Sequence, residues 1–165
     1  MNTLLFRSVI AFLALPGTVA FIVPLWIGTS GVARPAFNLF CLPLLSVGIL
    51  LLLWCVRDFY VAGRGTLAPW SPPKRLVIIG LYRFSRNPMY VAVISILLSW
   101  AIGFGSLVLT LYAVVVGILF HLRVILHEEP WLEREFGEEW RRYRDDVPRW
   151  IGRRSQRMRA SKESM

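Results

Sequence analysis

Charge is scarce along most of this chain of 165 residues. Charged residues make up 18% of the sequence, compared with about 25% in an average soluble domain. Of the 29 charged residues, 27 fall in two zones, residues 57–86 and 123–165. Long apolar runs fill most of the remaining sequence. This distribution excludes an intrinsically disordered chain and indicates an integral membrane protein whose single domain covers residues 1–151.

Cysteine and histidine are also rare, with two residues of each. Cys41 and Cys55 lie in one apolar run, where a helix separates them by about 21 Å and prevents a disulfide between them. The cysteines and histidines lack zinc-ligand spacing, and the sequence contains no complete glycine-rich nucleotide-binding loop. We therefore predict no metal site.

Four apolar segments have lengths that suit membrane-spanning helices, for which about 17–25 residues are needed. The prediction is an all-α integral membrane protein with four transmembrane helices, at residues 8–27, 36–56, 88–104 and 106–126. The first segment has an alternative interpretation, because Thr18-Val19-Ala20 resembles a signal-peptide cleavage site. Cleavage of residues 1–20 therefore stays open.

The connections between these segments differ in charge. The cytoplasmic loop predicted at residues 57–87 carries six basic residues and one acidic residue, and the chain from Arg123 onward carries eleven basic residues. The two short connections carry one arginine between them. The positive-inside rule therefore predicts that both termini lie in the cytoplasm. The net charge of +9 indicates contact with anionic lipid headgroups and no nucleic-acid partner.

An amphipathic helix is predicted after the fourth segment. Pro130 suits the first turn of a new helix. The apolar face of that helix consists of Leu132, Phe136, Trp140, Tyr143 and Val147, at spacings of three and four. The opposite face is charged, and Glu138 can pair with Arg142. We predict an interfacial helix at residues 130–146, with membrane anchoring alone as the alternative role, and a basic disordered tail at residues 152–165.

A first candidate site lies where the third helix begins. Asn87 is a favoured N-cap residue and Pro88 a favoured first helical residue. The N-terminus of this helix can hold an anionic group, and Arg83 and Arg86 add positive charge. The alternative is a capped helix whose arginines only mark the cytoplasmic side.

A second candidate site is the acidic pair Glu128-Glu129, with His121 and Arg123 upstream. If the fourth helix continues to residue 128, His121 and Glu128 share one face. Ionisable residues at membrane depth are costly and indicate function. The alternative is that the helix ends at Phe120 and that these groups lie in water.

The two candidate sites together carry a resemblance. Residues 80–90 read G-x-Y-R-x-x-R-N-P-M-Y, and residues 128–150 read E-E-P-x-L-x-x-x-F-G-E-E-x-x-x-Y-x-x-x-V-P-R-W. In this order and spacing, over residues 63–151, the sequence resembles the isoprenylcysteine carboxyl methyltransferase family and, more distantly, the phospholipid N-methyltransferases.

The resemblance implies an S-adenosylmethionine-dependent methyltransferase that acts on a lipophilic acceptor at the cytoplasmic membrane face. The cofactor-binding residues that it implies are Tyr82, Arg86, Asn87, Pro88, Tyr90, His121, Glu128 and Glu129. Of these, Glu129 is also the candidate base for an amine acceptor. Arg149 is the candidate that binds an acceptor carboxylate.

Two positions depart from the family pattern. Asn87 replaces the usual histidine and cannot take up a proton. Asp146 replaces a basic residue that is linked to binding of the substrate carboxylate, so Arg144 or Arg149 has to substitute. Two alternative classes remain, namely a sterol-reductase-type enzyme that uses NAD(P)H and a non-catalytic lipid-binding protein. The sequence leaves open the acceptor and the choice between monomer and homodimer.

Overall fold

The computed structural model describes residues 13–30, 37–62 and 76–152, and every regular element within these ranges is helical. A π-helical stretch, Leu13–Ile22, leads into α1 (Val23–Thr29). A 3-10 turn, Leu39–Cys41, leads into α2 (Leu42–Ala62), and a second one, Gly80–Arg83, precedes the third helix. The remaining elements are α3 (Pro88–Phe104), α4 (Leu107–Arg123), a π-helical turn (Val124–Glu128) and α5 (Glu129–Asp146).

Among the described residues, two helical stretches are long and apolar enough to cross a membrane, Leu39–Asp58 and Leu107–Asp146. Gly17–Thr29 and Pro88–Phe104 are apolar but shorter. Most large apolar side chains of α4 are exposed, and they include Leu107, Leu111, Val114, Ile118 and Leu119. Exposure of so many large apolar groups fits a surface that faces lipid rather than water.

The predicted boundaries agree best for the third helix, which begins and ends at the predicted residues 88 and 104. The second helix continues to Ala62, so the loop expected to begin at residue 57 begins later. Nothing in Arg57-Asp58-Phe59-Tyr60 breaks a helix. The predicted end at residue 56 was wrong because it relied only on the first charged residue after the apolar run. Residues 8–12 of the first predicted helix lie outside the described ranges, as do the predicted disordered tail from residue 153 and residues 63–75 of the long loop.

The core of the helical bundle forms where α2 packs closely on α3. A Cβ atom added to Gly48 would lie 2.7 Å from a side-chain atom of Ile96 and 3.3 Å from the backbone oxygen of Ala92. A glycine at this position therefore lets the two backbones approach. The buried side chains around this contact are Ala20, Leu52, Ala92, Val93, Ile96, Leu97, Ala113 and Val116.

The first helix is fastened to the bundle through its backbone carbonyl groups. The indole N–H of Trp100 donates to the oxygen of Ala20 at 2.9 Å, and the hydroxyl of Tyr112 donates to that of Val19 at 3.2 Å. Both carbonyls belong to the π-helical stretch. These two bonds tie the first helix to α3 and α4.

The fourth and fifth helices run on without an intervening loop, which corrects the expectation that Pro130 begins a separate helix. The π-helical turn Val124–Glu128 joins them. The backbone N–H of Glu129 donates to the oxygen of Val124, and Pro130, which has no N–H, lies in the first turn of α5. The interfacial helix predicted from residue 130 thus begins at Glu129, and non-helical backbone at Gly137 interrupts it.

The apolar face predicted for α5 exists, and the chain itself covers its C-terminal half. Trp140, Tyr143 and Val147 are buried. Leu76 and Ile78, in the extended segment before the Gly80–Arg83 turn, pack against them. The predicted pair of Glu138 and Arg142 also forms, at 3.7 Å on the exposed side. Part of the face expected at the membrane interface therefore packs within the protein, against the residues before the Gly80–Arg83 turn.

Tyr143→Phe is expected to lower the free energy of unfolding by about 1 kcal/mol, the usual worth of a buried hydrogen bond. The Tyr143 hydroxyl donates to the backbone oxygen of Tyr82 at 2.7 Å, inside the protein. The thermal midpoint of the purified protein in detergent measures the loss. Tyr112→Phe removes a longer bond that is only partly buried and should have a smaller effect. Equal effects from both changes would contradict this ranking.

Candidate active site

Three segments meet where α3 begins. They are the residues after the Gly80–Arg83 turn, the π-helical turn at the end of α4, and the C-terminal strap, which we define as residues 147–150. The N–H of Arg86 donates to the oxygen of Pro148 at 2.9 Å. The hydroxyl of Ser85 lies 3.4 Å from the oxygen of Arg149, to which it donates. These bonds hold the strap against the entrance to α3.

Asn87 holds the N-cap position of α3 without acting as a side-chain cap, which corrects the prediction. Its side-chain amide instead donates to the oxygen of Arg149 at 3.0 Å, and its backbone N–H donates to the hydroxyl of Ser85 at 3.1 Å. Pro88 is the first residue of α3, as predicted. The Asn87 side chain therefore bonds to the strap instead of the backbone N–H groups of α3, because the strap lies at the same helix end.

Glu129 is the centre of the first charged group in the site. Its two carboxylate oxygens accept from Nε and a terminal nitrogen of Arg149, at 2.7 and 2.8 Å. A terminal nitrogen of Arg86 lies 3.0 Å from the same carboxylate. Arg86 is largely buried, with its guanidinium 5.3 Å from the centroid of the Trp140 ring. Two arginines and one carboxylate leave this group with a net positive charge.

The bonds between Arg149 and Glu129 also affect protonation. The side-chain hydrogen bonds to Glu129 and the nearby negative charge raise the pKa of Arg149 above its usual value. The guanidinium therefore stays charged at any physiological pH. Because a bidentate pair is short and directional, Arg149 holds the Glu129 carboxylate in one orientation.

Glu128 forms the second charged group, next to the first along the chain. One of its oxygens accepts a short hydrogen bond from the hydroxyl of Tyr90 and another from Nε of Arg123 at 2.8 Å. The Tyr90 ring stacks on Phe120 with ring centroids 4.3 Å apart. The start of α3 and the end of α4 are thus joined through this carboxylate.

Two predicted site residues contact groups other than the acidic pair. His121 stacks on Trp150 of the strap, with ring centroids 5.9 Å apart. The helix continues through the π-helical turn Val124–Glu128, so the alternative that it ends at Phe120 is wrong, and a shared face of His121 and Glu128 stays a prediction. Tyr82 is buried in a cluster with Cys55 and Val77, and burial raises its pKa well above the usual value. Its ring therefore belongs to the core beneath the site.

The structure adds residues that the sequence did not assign to the site. Arg123 is not one of them, because the sequence already placed it upstream in the second candidate site, and it bonds to Glu128. Ser85 has no sequence signal that distinguishes it, whereas Trp150 is the last position of the motif at residues 128–150 but had no role assigned to it. Their roles depend on the strap, which returns to α3 from a segment more than 60 residues away.

A cavity of about 600 Å³ lies beside this site, between the Gly80–Arg83 turn and α5. Its lining includes Arg83, Glu138, Arg142 and Tyr143. None of the predicted cofactor-binding residues lines it. The charged groups around Glu128 and Glu129 and this cavity are therefore separate features of the described surface.

A family model described as phospholipid methyltransferase matches residues 37–139. The chain belongs to the phospholipid methyltransferase family. This family also contains the isoprenylcysteine carboxyl methyltransferase-like proteins, so the resemblance seen in the sequence is confirmed. The match includes α2, α3, α4 and the acidic pair, and it ends before the strap.

The chain is also similar to an uncharacterized protein of Haemophilus influenzae. It is 35% identical over 63 residues, which cover 38% of this chain and 100% of the relative. No solved structure matches the chain. Family membership therefore supplies the coarse class, a membrane methyltransferase, and the chemistry of the site has to be argued from its residues.

Proposed function

We propose that this protein transfers a methyl group from S-adenosylmethionine to a lipophilic acceptor at the cytoplasmic face of the membrane. The observation that carries the proposal is the pair of carboxylates, Glu128 and Glu129, fixed by arginines at the start of α3. Family membership supports a methyltransferase, and the expected motifs converge on this one place in the fold.

The residues present fit S-adenosylmethionine by their chemistry. Its amino group and ribose hydroxyls need acceptors, which Glu128 and Glu129 provide, and its carboxylate needs donors, which Arg86 and the N-terminus of α3 provide. The first N–H in the α3 ladder is that of Val91, which donates to Asn87. The N–H groups of Met89 and Tyr90 precede that turn and have no partner within the helix.

When bound, S-adenosylmethionine supplies an electrophilic methyl group on a sulfonium centre. The chain itself then has to orient the acceptor, exclude water and manage any proton. A carboxylate or thiolate acceptor needs no base, whereas an amine has to lose a proton, for which Glu129 is the proposed base. We assign Arg149 to holding Glu129, since both oxygens of that carboxylate already accept from it.

The proposed function includes a membrane topology. All four apolar helices cross the membrane, both termini lie in the cytoplasm, and the acceptor enters from the lipid near α3 and α4. The exposed apolar surface of α4 and the basic residues beyond it support this arrangement. Anionic headgroups are the proposed partners of the basic tail at residues 152–165.

A methyl-transfer assay tests the proposal. Membranes that contain the protein are incubated with S-adenosylmethionine labelled in the methyl group and then extracted with organic solvent. We expect label in the extract above the level of membranes without the protein, and mass spectrometry then identifies the acceptor. Oxidation of NADPH by the same membranes, without methyl transfer, would instead favour a reductase.

A further inference from the structure

Asp58, in the last turns of α2, is a buried carboxylate that the proposed chemistry does not use. The residue is 1% exposed. Its Oδ1 lies 3.4 Å from a terminal nitrogen of Arg57, a side chain that is itself mostly exposed. Its Oδ2 has no hydrogen-bond partner among the described residues. Burial of a carboxylate with so little compensation costs free energy, so the group is expected to have a role at this position.

The neighbour of Oδ2 is Gly80, the first residue of the Gly80–Arg83 turn. Gly80 has a φ of +55°, in the left-handed region. A Cβ atom added to it would lie 1.9 Å from Oδ2 of Asp58 and 3.1 Å from Nε1 of Trp54. A side chain at position 80 would therefore collide with the carboxylate. The turn and the carboxylate are in direct contact because residue 80 is glycine.

This turn continues directly into the candidate active site. The oxygen of Leu81 accepts from the N–H groups of Phe84 and Ser85, at 3.1 and 3.2 Å. The Ser85 hydroxyl then accepts from the N–H of Asn87 and donates to the strap. Arg86 lies between these two residues and contacts Glu129. A shift of the turn would therefore move the residues that hold the acidic pair.

We propose that Asp58 is a positioning residue of the cofactor site, whose buried carboxylate fixes the Gly80–Arg83 turn and, through it, residues 85–87. This inference rests on the proposed function. A carboxylate offers acceptors on both oxygens, whereas an asparagine offers one oxygen and a donor group. The charge is therefore kept for the geometry of the site at a cost to the stability of the fold.

Asp58→Asn separates positioning from simple structural support. The variant keeps the shape and removes a buried, poorly compensated charge, so its thermal midpoint is expected to equal or exceed that of the wild type. Its dissociation constant for S-adenosylhomocysteine, measured by calorimetry, is expected to rise about fivefold or more, because the amide can place N–H hydrogens against Gly80 where the carboxylate has a bare oxygen. A merely structural role would leave this constant unchanged.

Two glycines provide a matched comparison. Gly80 and Gly105 have almost the same φ, +55° and +54°, but a Cβ atom on Gly105 would meet nothing within 4 Å among the described residues. Alanine therefore introduces similar backbone strain at both positions and a collision with Asp58 only at position 80. We expect Gly80→Ala to weaken binding of S-adenosylhomocysteine by about tenfold or more, and Gly105→Ala to stay within about twofold of wild type.

A double variant tests the contact without any cofactor. Asp58→Ala removes the oxygen with which a methyl group at position 80 would collide, so Asp58→Ala/Gly80→Ala is expected to have a higher thermal midpoint than Gly80→Ala. Wild-type affinity in both Asp58→Asn and Gly80→Ala would overturn the positioning role while the wild type still binds S-adenosylhomocysteine. Failure of the wild type itself to bind it would instead overturn the proposed function, and this inference with it.

Discussion

Glu129→Gln is expected to weaken binding of S-adenosylhomocysteine by roughly 10- to 150-fold, because hydrogen bonds to charged groups contribute about 1.5–3 kcal/mol. Glutamine keeps the length of the side chain but loses the charge that pairs with Arg86 and Arg149. The amide also replaces one of the two oxygens that accept from Arg149. Calorimetry on the purified protein measures the change in affinity.

Glu133 provides the matched control for this change. It also contacts two arginines, Arg141 at 3.0 Å and Arg144 at 3.6 Å, but on an exposed part of α5. Surface pairs of this kind contribute little, so Glu133→Gln is expected to bind S-adenosylhomocysteine like the wild type. Equal affinities in the two variants would show that Glu129 is not part of the cofactor site.

Trp140→Ala is expected to lower the free energy of unfolding by about 3–5 kcal/mol, the usual cost of truncating a buried tryptophan. Trp140 is 2% exposed and forms the centre of the cluster that joins α5 to the extended segment before the turn. Its ring also lies beneath the guanidinium of Arg86. Loss of the ring therefore removes packing and the support of a site residue together.

The thermal midpoint in detergent and limited proteolysis both measure this effect. We expect cleavage within α5 of Trp140→Ala under conditions in which the wild type stays intact, because α5 loses its main packing contact. Trp131 in the first half of α5 is only half-buried and meets Phe136 edge to face, so Trp131→Ala should be milder. A larger loss at Trp131 than at Trp140 would contradict the packing described here.

The sequence predicted the helices well where apolar runs end at strong local signals. Pro88 begins α3 and Gly105 follows its last residue. Each residue affects only the adjacent turn of the helix, so local sequence is enough to predict both ends. The end of α2 was placed too early because a charged residue does not by itself stop a helix. The joining of α4 to α5 was also not predictable, since a π-helical turn accommodates Pro130 and depends on tertiary packing.

The candidate site could be predicted in its composition more than in its contacts. Motif positions alone indicated Arg86, Tyr90 and the acidic pair, and the structure brings these residues together. The partner of Asn87 and the burial of Tyr82 depend on segments far apart in the chain. Such contacts need the fold, because neither helical periodicity nor local spacing connects the strap with the start of α3.

The most direct test of the cofactor site is a calorimetric titration of the purified wild-type protein with S-adenosylhomocysteine and, in parallel, with NADPH. We predict saturable one-to-one binding of S-adenosylhomocysteine and no heat of binding with NADPH. Because the site is formed by carboxylates held by arginines, the same titration on Glu129→Gln should show the weaker binding described above. Saturable binding of NADPH without binding of S-adenosylhomocysteine would contradict a methyltransferase site and favour a reductase.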